Sequence, residues 1–502
     1  MSGSLWRNTL FYLPAQFLGP LVQFALVVAW THLLAPEAFG VVTFAVAAQE
    51  MTALFVLIWW SIYVLRFRQR HSGAQAERFL AMDDRMIAVA AMGQVAMAPF
   101  CLLAIGASPT PGLIAALVAY LVVRLLLAHF SEWARADHRI KAYSIAQIVG
   151  PALGALLSVG AIMAWAPTPA MALAGLALGQ GASVVILMSA LRRTPRLGVF
   201  DRAIFADAAR FGAPLVAAGC FAWIAANGVR VLVQNVDGLV AVGLLSAGWG
   251  LGQRISAVIA MVCTAAAFPL AVDRIEAGDR EGALHQVAIN GALMFALLAP
   301  ASVGLAFLAR PLVDLMIAAD YRAVTYLVLP IAMIAGAVRT LRTHTADQVC
   351  LLLDRTRVSM LSNFGDAAMA MLCAGVGLHL AGIVGAAAGS LAGTLIASVG
   401  SVVYATARMG VRFDYSLFAR VCAASAFMAL ALSLAPPPTG ALGLVAHVVL
   451  GALVYAAAIL ALLPRLRAAA LARFLGGRRA PGPSSSTPVV DNARPCSGAK
   501  SE

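Results

Sequence analysis

Residues 211–274 read FGAPLVAAGCFAWIAANGVRVLVQNVDGLVAVGLLSAGWGLGQRISAVIAMVCTAAAFPLAVDR. Two apolar runs, Phe211–Val236 and Leu239–Pro269, flank a break at Asp237-Gly238. Each run is long enough to cross the hydrocarbon core of a bilayer as a helix, which takes about twenty residues at 1.5 Å each. Polar groups nevertheless sit inside both. Trp223, Asn227, Arg230 and Gln234 fall at i, i+4, i+7 and i+11, on one face of a helix. Arg254 stands alone near the middle of the second run. A charge at that depth costs roughly 3 kcal/mol or more unless it is paired or hydrated. The stretch therefore predicts a membrane hairpin whose polar face turns to protein or water rather than to lipid.

The rest of the chain repeats this pattern. Of 502 residues, 62% are hydrophobic and 11% charged, against about 25% charged in a soluble domain. Apolar runs of spanning length occur at Leu10–Leu34, Ala38–Val64, Met86–Gly106, Gly112–Phe130, Tyr143–Trp165 and Ala170–Ala190, then as the two already quoted. They continue at Gln286–Leu308, Thr325–Leu352, Ser359–Leu380, Ile383–Thr406, Ser416–Leu434 and Ala441–Leu463. The fold class expected is an all-α polytopic membrane protein with about fourteen spans. The first run, interrupted by Pro14, Gln16 and Gln23, is too long for the apolar core of a cleavable signal.

The net charge of +13 sorts by loop. Ala35–Glu37, Ala107–Pro111, Ala166–Pro169, Ala381–Gly382 and Pro436–Gly440 are short and almost uncharged. The basic residues crowd Arg66–Arg85, Glu132–Ala142, Leu191–Arg210, Asp354–Val358, Arg408–Asp414 and the tail from Pro464, with only Arg310 and Arg322 on the other side. Such alternation is a topology signal and no sign of nucleic-acid binding; it predicts both termini in the cytoplasm, as an even span count also requires. Cys101, Cys220, Cys263, Cys350, Cys373 and Cys422 lie in apolar runs and Cys496 in the tail, without metal spacing; they read as small packing residues. Neither metal nor cofactor is expected.

A weak internal echo suggests two parallel six-helix halves. Pro14 opens span one, and Glu37 with Phe39-Gly40 opens span two; Pro214 opens span seven, and Asp237 with Val242-Gly243 opens span eight. The expected organisation is an N-terminal lobe (1–190), a basic linker (191–210) partly amphipathic on the inner membrane surface, a C-terminal lobe (211–407), spans thirteen and fourteen (408–463), and a basic tail (464–502) that is Pro- and Ser-rich from Pro481.

Charges at membrane depth mark the candidate site. Arg124, Arg230, Arg254, Arg339 and Arg342 are embedded, against the acids Glu50, Asp347 and Asp366. Internal pairing can account for single residues, for instance Glu50 with an arginine or Asp347 and Asp366 with Arg342, but leaves cation in excess. An excess of arginine in a low-dielectric cavity suits a mobile anion, and the planar guanidinium suits phosphate. Thr340, Thr343 and His344 make span ten polar on several sides, so it should line water; Ser359 and Asn363 share a stripe with Asp366, and Tyr12, Gln16, Gln23 and Trp30 fall on a stripe of span one. Trp223, Asn227 and Gln234 are candidates to stack on and hydrogen-bond a sugar. Glu50, Asp366 and His344 are candidates for proton or ion coupling.

Three stretches carry a resemblance: FLGPLVQFALVVAWTHLLAPEAFGVVTFA (17–45), the 211–274 hairpin, and PLVDLMIAADYRAVTYLVLPIAMI (311–334). Across Asn8 to Leu463 the chain resembles the polysaccharide-export branch of the multidrug/oligosaccharidyl-lipid/polysaccharide (MOP) flippase superfamily. The resemblance implies two six-helix bundles around a central cavity, and transfer of undecaprenyl-diphosphate-linked oligosaccharide between leaflets by alternating access. It implies membrane lipids and a polysaccharide polymerase and co-polymerase as partners, and no enzymatic step. In the related peptidoglycan-precursor flippases an arginine of the eighth span lines the cavity, and Arg254 stands at the matching place. Those relatives also carry arginines in the first two spans; here span two offers Glu50, which argues against peptidoglycan precursor as substrate. Competing readings are a drug/cation antiporter, for which an arginine-rich cavity has the wrong sign, and a membrane polymerase or glycosyltransferase. The longest outer loop, about Ala309–Val324, is too short for the polymerase, and the loop carrying Asp83-Asp84 too small for a metal-dependent transferase domain.

Overall fold

The computed structural model describes residues 2–193 and 200–463, with side chains from residue 17 onward except at 74, 262, 265–268 and 356. The tail from Pro464, Cys496, Arg196 of the linker, and the side chains of Tyr12, Pro14 and Gln16 lie outside the described residues.

Among those residues the fold is helical. Span one is α1 (Ser2–Leu33). Span two is α2 (Pro36–Ala53), continued through a π turn at Leu54–Ile58 into α3 (Trp59–Phe67). Spans three to six are α4 (Ala74–Ile105), α5 (Pro111–Ala136), α6 (Ile140–Ala164) and α7 (Pro169–Leu191). Then come α8 (Arg202–Glu276), α9 (Arg280–Met316), α10 (Ala319–Thr343) with the short α11 (Ala346–Leu352), α12 (Thr356–Met409), α13 (Tyr415–Leu434) and α14 (Gly440–Leu462). Eleven helical segments are long and apolar enough to cross a membrane, and Phe17–Leu33 of α1 adds a shorter apolar helix.

Two of these segments are hairpins. A straight helix over 202–261, 60 residues, would reach about 90 Å, three times the hydrocarbon thickness. It folds back at Gly238, whose φ of 78° and ψ of −172° only glycine adopts readily. The two arms are stitched symmetrically about that residue: Arg230 Nε donates to Ser246 Oγ at 3.2 Å and Trp249 Nε1 to the Ala226 carbonyl at 3.1 Å. Spans seven and eight are therefore the arms of α8. α12 turns in the same way at Ala381-Gly382 to give spans eleven and twelve. There a Cβ on Gly385, Gly389 or Gly393 would collide with the carbonyls of Gly377, Cys373 and Met369 in turn, so three glycines one turn apart set the approach of the arms. Counting each hairpin as two crossings gives the expected architecture of about fourteen.

Loop chemistry explains the helix starts on the uncharged face. Thr110 and Thr168 cap α5 and α7 through Oγ1, accepting from Leu113 N and Met171 N, and Pro36, Pro111 and Pro169 each fill the first turn, where an N–H is not needed. On the arginine-rich face Asp201, Asp279 and Asp414 are the caps.

Spans one to six and seven to twelve form two lobes, with spans thirteen and fourteen packed on the outside of span nine. The echoed glycines meet where the lobes touch. A Cβ on Gly40 would strike the Leu239 carbonyl, and one on Gly243 the Pro36 carbonyl, so spans two and eight cross in backbone contact at the uncharged face. Tyr321 Oη donates to the Leu34 carbonyl at 2.7 Å and Gln234 Nε2 to the Ile105 carbonyl at 2.8 Å, tying the lobes at the same end.

On the arginine-rich face the described end of the linker is no free surface helix. Residues 202–210 run straight into span seven. Ile204, Phe205 and Ala208 pack with Trp60 and Tyr63, and Tyr63 Oη donates to Asp207 Oδ2 at 2.7 Å. Of the cysteines, Cys101, Cys263 and Cys350 are buried, Cys220 and Cys373 half-buried, and Cys422 is exposed.

Candidate functional site

The lobe crossing fixes the depth of the charges below it. From Gly40, ten residues of span two lead to Glu50; from Gly243, eleven residues of span eight lead to Arg254. At 1.5 Å per residue both lie about 15 Å below the crossing, near the middle of a core about 30 Å thick. Between them opens a cavity of about 250 Å³ lined by Trp30, Thr43, Glu50, Asn227, Arg230, Ser246, Gln253 and Arg254, among others.

Arg230 is held from two sides, by Ser246 and by the Asn227 side-chain oxygen. Its Nη2 points across the glycine at 250, where a Cβ would sit 3.8 Å away. Arg254 makes no hydrogen bond among the described residues, and its buried Nη1 has no partner. Glu50 lies in the field of Arg230, Arg124 and Arg254 yet forms no ion pair within 4 Å among the described residues. One carboxylate thus faces three guanidinium groups, so the cavity is positive and carries an unsatisfied donor, a combination that favours an anion.

The other two arginines are built differently. Arg339 Nε donates to Asp366 Oδ2 at 3.0 Å, and its Nη2 to the Ala225 carbonyl at 2.8 Å and Thr394 Oγ1 at 2.7 Å. Arg342 Nη2 reaches Asp366 at 3.2 Å and Nη1 reaches Asp347 at 3.5 Å, with Ser362 and Asn363 as further partners, while Arg342 Nε and Arg339 Nη1 are buried without a hydrogen bond among the described residues. Two arginines and two aspartates cancel inside the C-terminal lobe, and the Arg342 side chain is 1% exposed. Span ten is thus riveted to spans seven, eleven and twelve at these positions instead of lining water; Thr343 alone of its polar run is exposed. Asp366 is engaged by both arginines. His344 contacts Thr264 Oγ1 at 3.0 Å and Gln348 at 3.4 Å.

The residues expected to touch sugar have protein partners. Trp223 Nε1 donates to the Ala47 carbonyl at 2.9 Å, across the lobes. Gln234 bonds the end of span three, and Asn227 holds Arg230. Gly252, adjacent in sequence to the cavity, faces span ten: a Cβ there would lie 2.7 Å from Leu329 O and Met333 N.

Sequence reasoning missed one cluster. Asp83, fully buried, accepts from Trp60 Nε1 (2.6 Å), Trp133 Nε1 (2.8 Å) and Arg193 Nη1 (2.5 Å) and lies 3.1 Å from His129 Nε2. Arg193 also bonds Asp84 at 2.6 Å and stacks 4.5 Å from the Trp133 ring. The signal was an acid amid apolar residues, with His129 and Trp133 one turn apart as donors; it anchors the start of the linker to the N-terminal lobe.

Residues 5–273 match the family model described as polysaccharide biosynthesis protein. The chain belongs to that family. Its fold is shared with solved transporters of the MOP superfamily. Over 93% of this chain and 99% of the other it superposes on the lipid II flippase MurJ in an inward closed conformation, with TM-score 0.72 and 11% identity. A multidrug resistance MATE family transporter of the MOP superfamily, inward-facing, is similar over 80% of this chain and 98% of its own (TM-score 0.52, 14% identity). A mutant form of the Vibrio cholerae MATE transporter VcmN is similar over 82% and 97% (TM-score 0.54, 15% identity). No curated protein sequence matches. In this family member the charges at mid-membrane fall into two sets, one open and positive, one closed and neutral.

Proposed function

We propose that the protein is a flippase that moves lipid-diphosphate-linked oligosaccharide from the cytoplasmic to the periplasmic leaflet of a bacterial inner membrane. In this reading the arginine-rich face is cytoplasmic, by the positive-inside rule, and both termini lie there. The observation that carries the proposal is the Arg254 guanidinium, unpartnered in a positive cavity at mid-membrane. Arg230 and Arg124 supply further positive charge around it, and a diphosphate offers oxygens to each. A cationic drug would meet like charge there, which disfavours an antiporter.

A second feature supports an amphiphile. Ile255, the residue after Arg254, lines an apolar groove of about 370 Å³ between spans nine, thirteen and fourteen, walled by Leu297, Leu305, Met428 and Leu432 and opened by Gly304 and Gly451. Neighbouring residues of one helix thus face a charged cavity and an apolar groove, which suits a molecule with an anionic head and a polyprenyl chain. Arg339 and Arg342, internally neutralised, are left to hold the C-terminal lobe together.

The test is transfer of a fluorescent undecaprenyl-diphosphate-linked sugar across proteoliposomes. Arg254→Ala should accumulate normally and lose transfer, and Arg254→Lys should recover part, since an ammonium lacks the two-pronged fork. If Arg254 served only to neutralise Glu50, the double variant Arg254→Ala/Glu50→Gln would regain transfer; phosphate binding requires it to stay inactive. Undiminished transfer by Arg254→Ala would remove the basis of the proposal.

A further inference from the structure

Beside the central cavity the N-terminal lobe contains a second, smaller chamber of about 150 Å³, between spans one, four, five and six. It is lined by Gly19, Pro20, Gln23, Arg124, Tyr143, Gln147, Pro151 and Gln180, and Met261 of span eight closes it from the opposite lobe. Gln180 is 8% exposed and its Oε1 is buried with no partner. Gln23, an exposed residue of span one, brings a further side-chain amide to the wall. Gln147 spends its Nε2 on Ser131 Oγ at 3.1 Å, leaving its own oxygen. Pro151 has no N–H to give the Gln147 carbonyl four residues back, so a main-chain acceptor is freed in the same wall. A buried amide oxygen left unpaired costs about 1–3 kcal/mol, and a mid-membrane chamber offers lipid nothing in return.

The chemistry of this wall is specific. Its unpaired groups are mainly neutral acceptors, with amide N–H groups beside them and one guanidinium at the rim. Such a wall disfavours a second phosphate, which brings only acceptors, and favours a group that both donates and accepts. A ring carrying several hydroxyls does so, and one pyranose matches the volume. Position agrees: Arg124 lines the chamber and also lies in the field of Glu50, while Met261 is two turns from Arg254 on the same face of span eight. Head groups held at Arg254 therefore lie next to the chamber mouth.

We infer that this glutamine-lined chamber binds the sugar attached to the diphosphate, with Gln180 and Gln147 as its hydroxyl-recognising residues and Met261 as the wall that leaves when the lobes part. The inference rests on the function proposed above and locates sugar recognition away from Trp223 and Gln234, whose polar atoms hold the lobes together.

The test measures binding to purified protein by native mass spectrometry. The probes are undecaprenyl diphosphate, bare or bearing one glucose, galactose or N-acetylglucosamine. Wild type should bind at least one sugar-bearing lipid about tenfold tighter than the bare one, and Gln180→Leu and Gln147→Leu should each remove about fivefold or more of that difference, as expected for hydrogen bonds left unmade. Both variants should bind bare lipid as wild type does, which also shows that they fold. Cysteine at Met261 should be protected from thiol reagent by the sugar-bearing lipid and not by the bare one. The inference is overturned if wild type has no sugar preference, if both glutamine variants keep it, or if they weaken bare lipid equally, as a water-filled packing defect would. Arg254→Ala separates the two claims: it should weaken every probe, and if it weakens none the flippase reading fails instead.

Discussion

The backbone crossing of spans two and eight closes the lobes together at the uncharged face, and it can be perturbed one atom at a time. Gly243→Ala places a methyl against the Pro36 carbonyl and 3.2 Å from Gly40 N. Both neighbours are main chain, so no side chain can swing aside and the helices must separate. Overpacking of this kind costs about 1–3 kcal/mol. At about 2 kcal/mol the ratio of closed to open lobes at this face falls about thirtyfold. Tyr321 and Gln234 still tie the same end, so the population moves without the fold coming apart. The assay uses a variant lacking the native cysteines with cysteine at Thr43, which lines the cavity below the crossing. In intact cells, a membrane-impermeant thiol reagent should label it about ten- to thirtyfold faster when Gly243→Ala is present. Gly252→Ala is the control: its methyl strikes Leu329 O and Met333 N within one lobe, so it costs stability without parting the lobes and should leave the rate unchanged. Equal rates in Gly243→Ala and wild type, at equal protein levels, would mean that this crossing does not govern access.

Other expectations can be checked independently. Asp366→Ala strands two arginines and should cost about 3–5 kcal/mol, read as a large drop in the thermal midpoint in detergent, whereas Glu50→Gln, with no direct ion pair, should change stability by about 1 kcal/mol or less. Asp83→Ala removes the acceptor shared by Trp60, Trp133 and Arg193, and amide exchange over 189–193 should quicken about tenfold or more; an unchanged rate would place the anchor of the linker's start elsewhere. Reporter fusions at Ser108, Pro167 and Pro437 should read periplasmic and those at Gly73 and Gly477 cytoplasmic, and any switch in parity between them would break the span assignment.

The membrane architecture was legible because hydropathy and loop charge report burial in lipid directly. Both hairpin bends fall at breaks visible in the sequence, Asp237-Gly238 and Ala381-Gly382. Helix ends were less so: α4 begins at Ala74, twelve residues ahead of Met86, because Arg78 and Arg85 end the apolar run without ending the helix. Depth picked out all five arginines but could not say which face acids. Asp366 lies 24 and 27 residues from Arg342 and Arg339, and whether it meets either depends on the rotation of one helix against another. The same limit hid the partners of Trp223 and Gln234, which lie in the opposite lobe.

The neutral knot of Arg339, Arg342, Asp347 and Asp366 also bears on how the chain is made. Span ten emerges with two arginines before its main counter-ion exists, since Asp366 is synthesised a span later. Each bare arginine at mid-membrane costs roughly 3 kcal/mol, so span ten is poorly suited to settle in lipid alone. It must wait beside the insertion machinery, or linger at the interface, until span eleven delivers the carboxylate and span twelve brings Thr394. Spans ten to twelve are therefore a unit of biogenesis, and a chain cut just after Leu353 should be recognised as unassembled even though every helix up to the cut is complete.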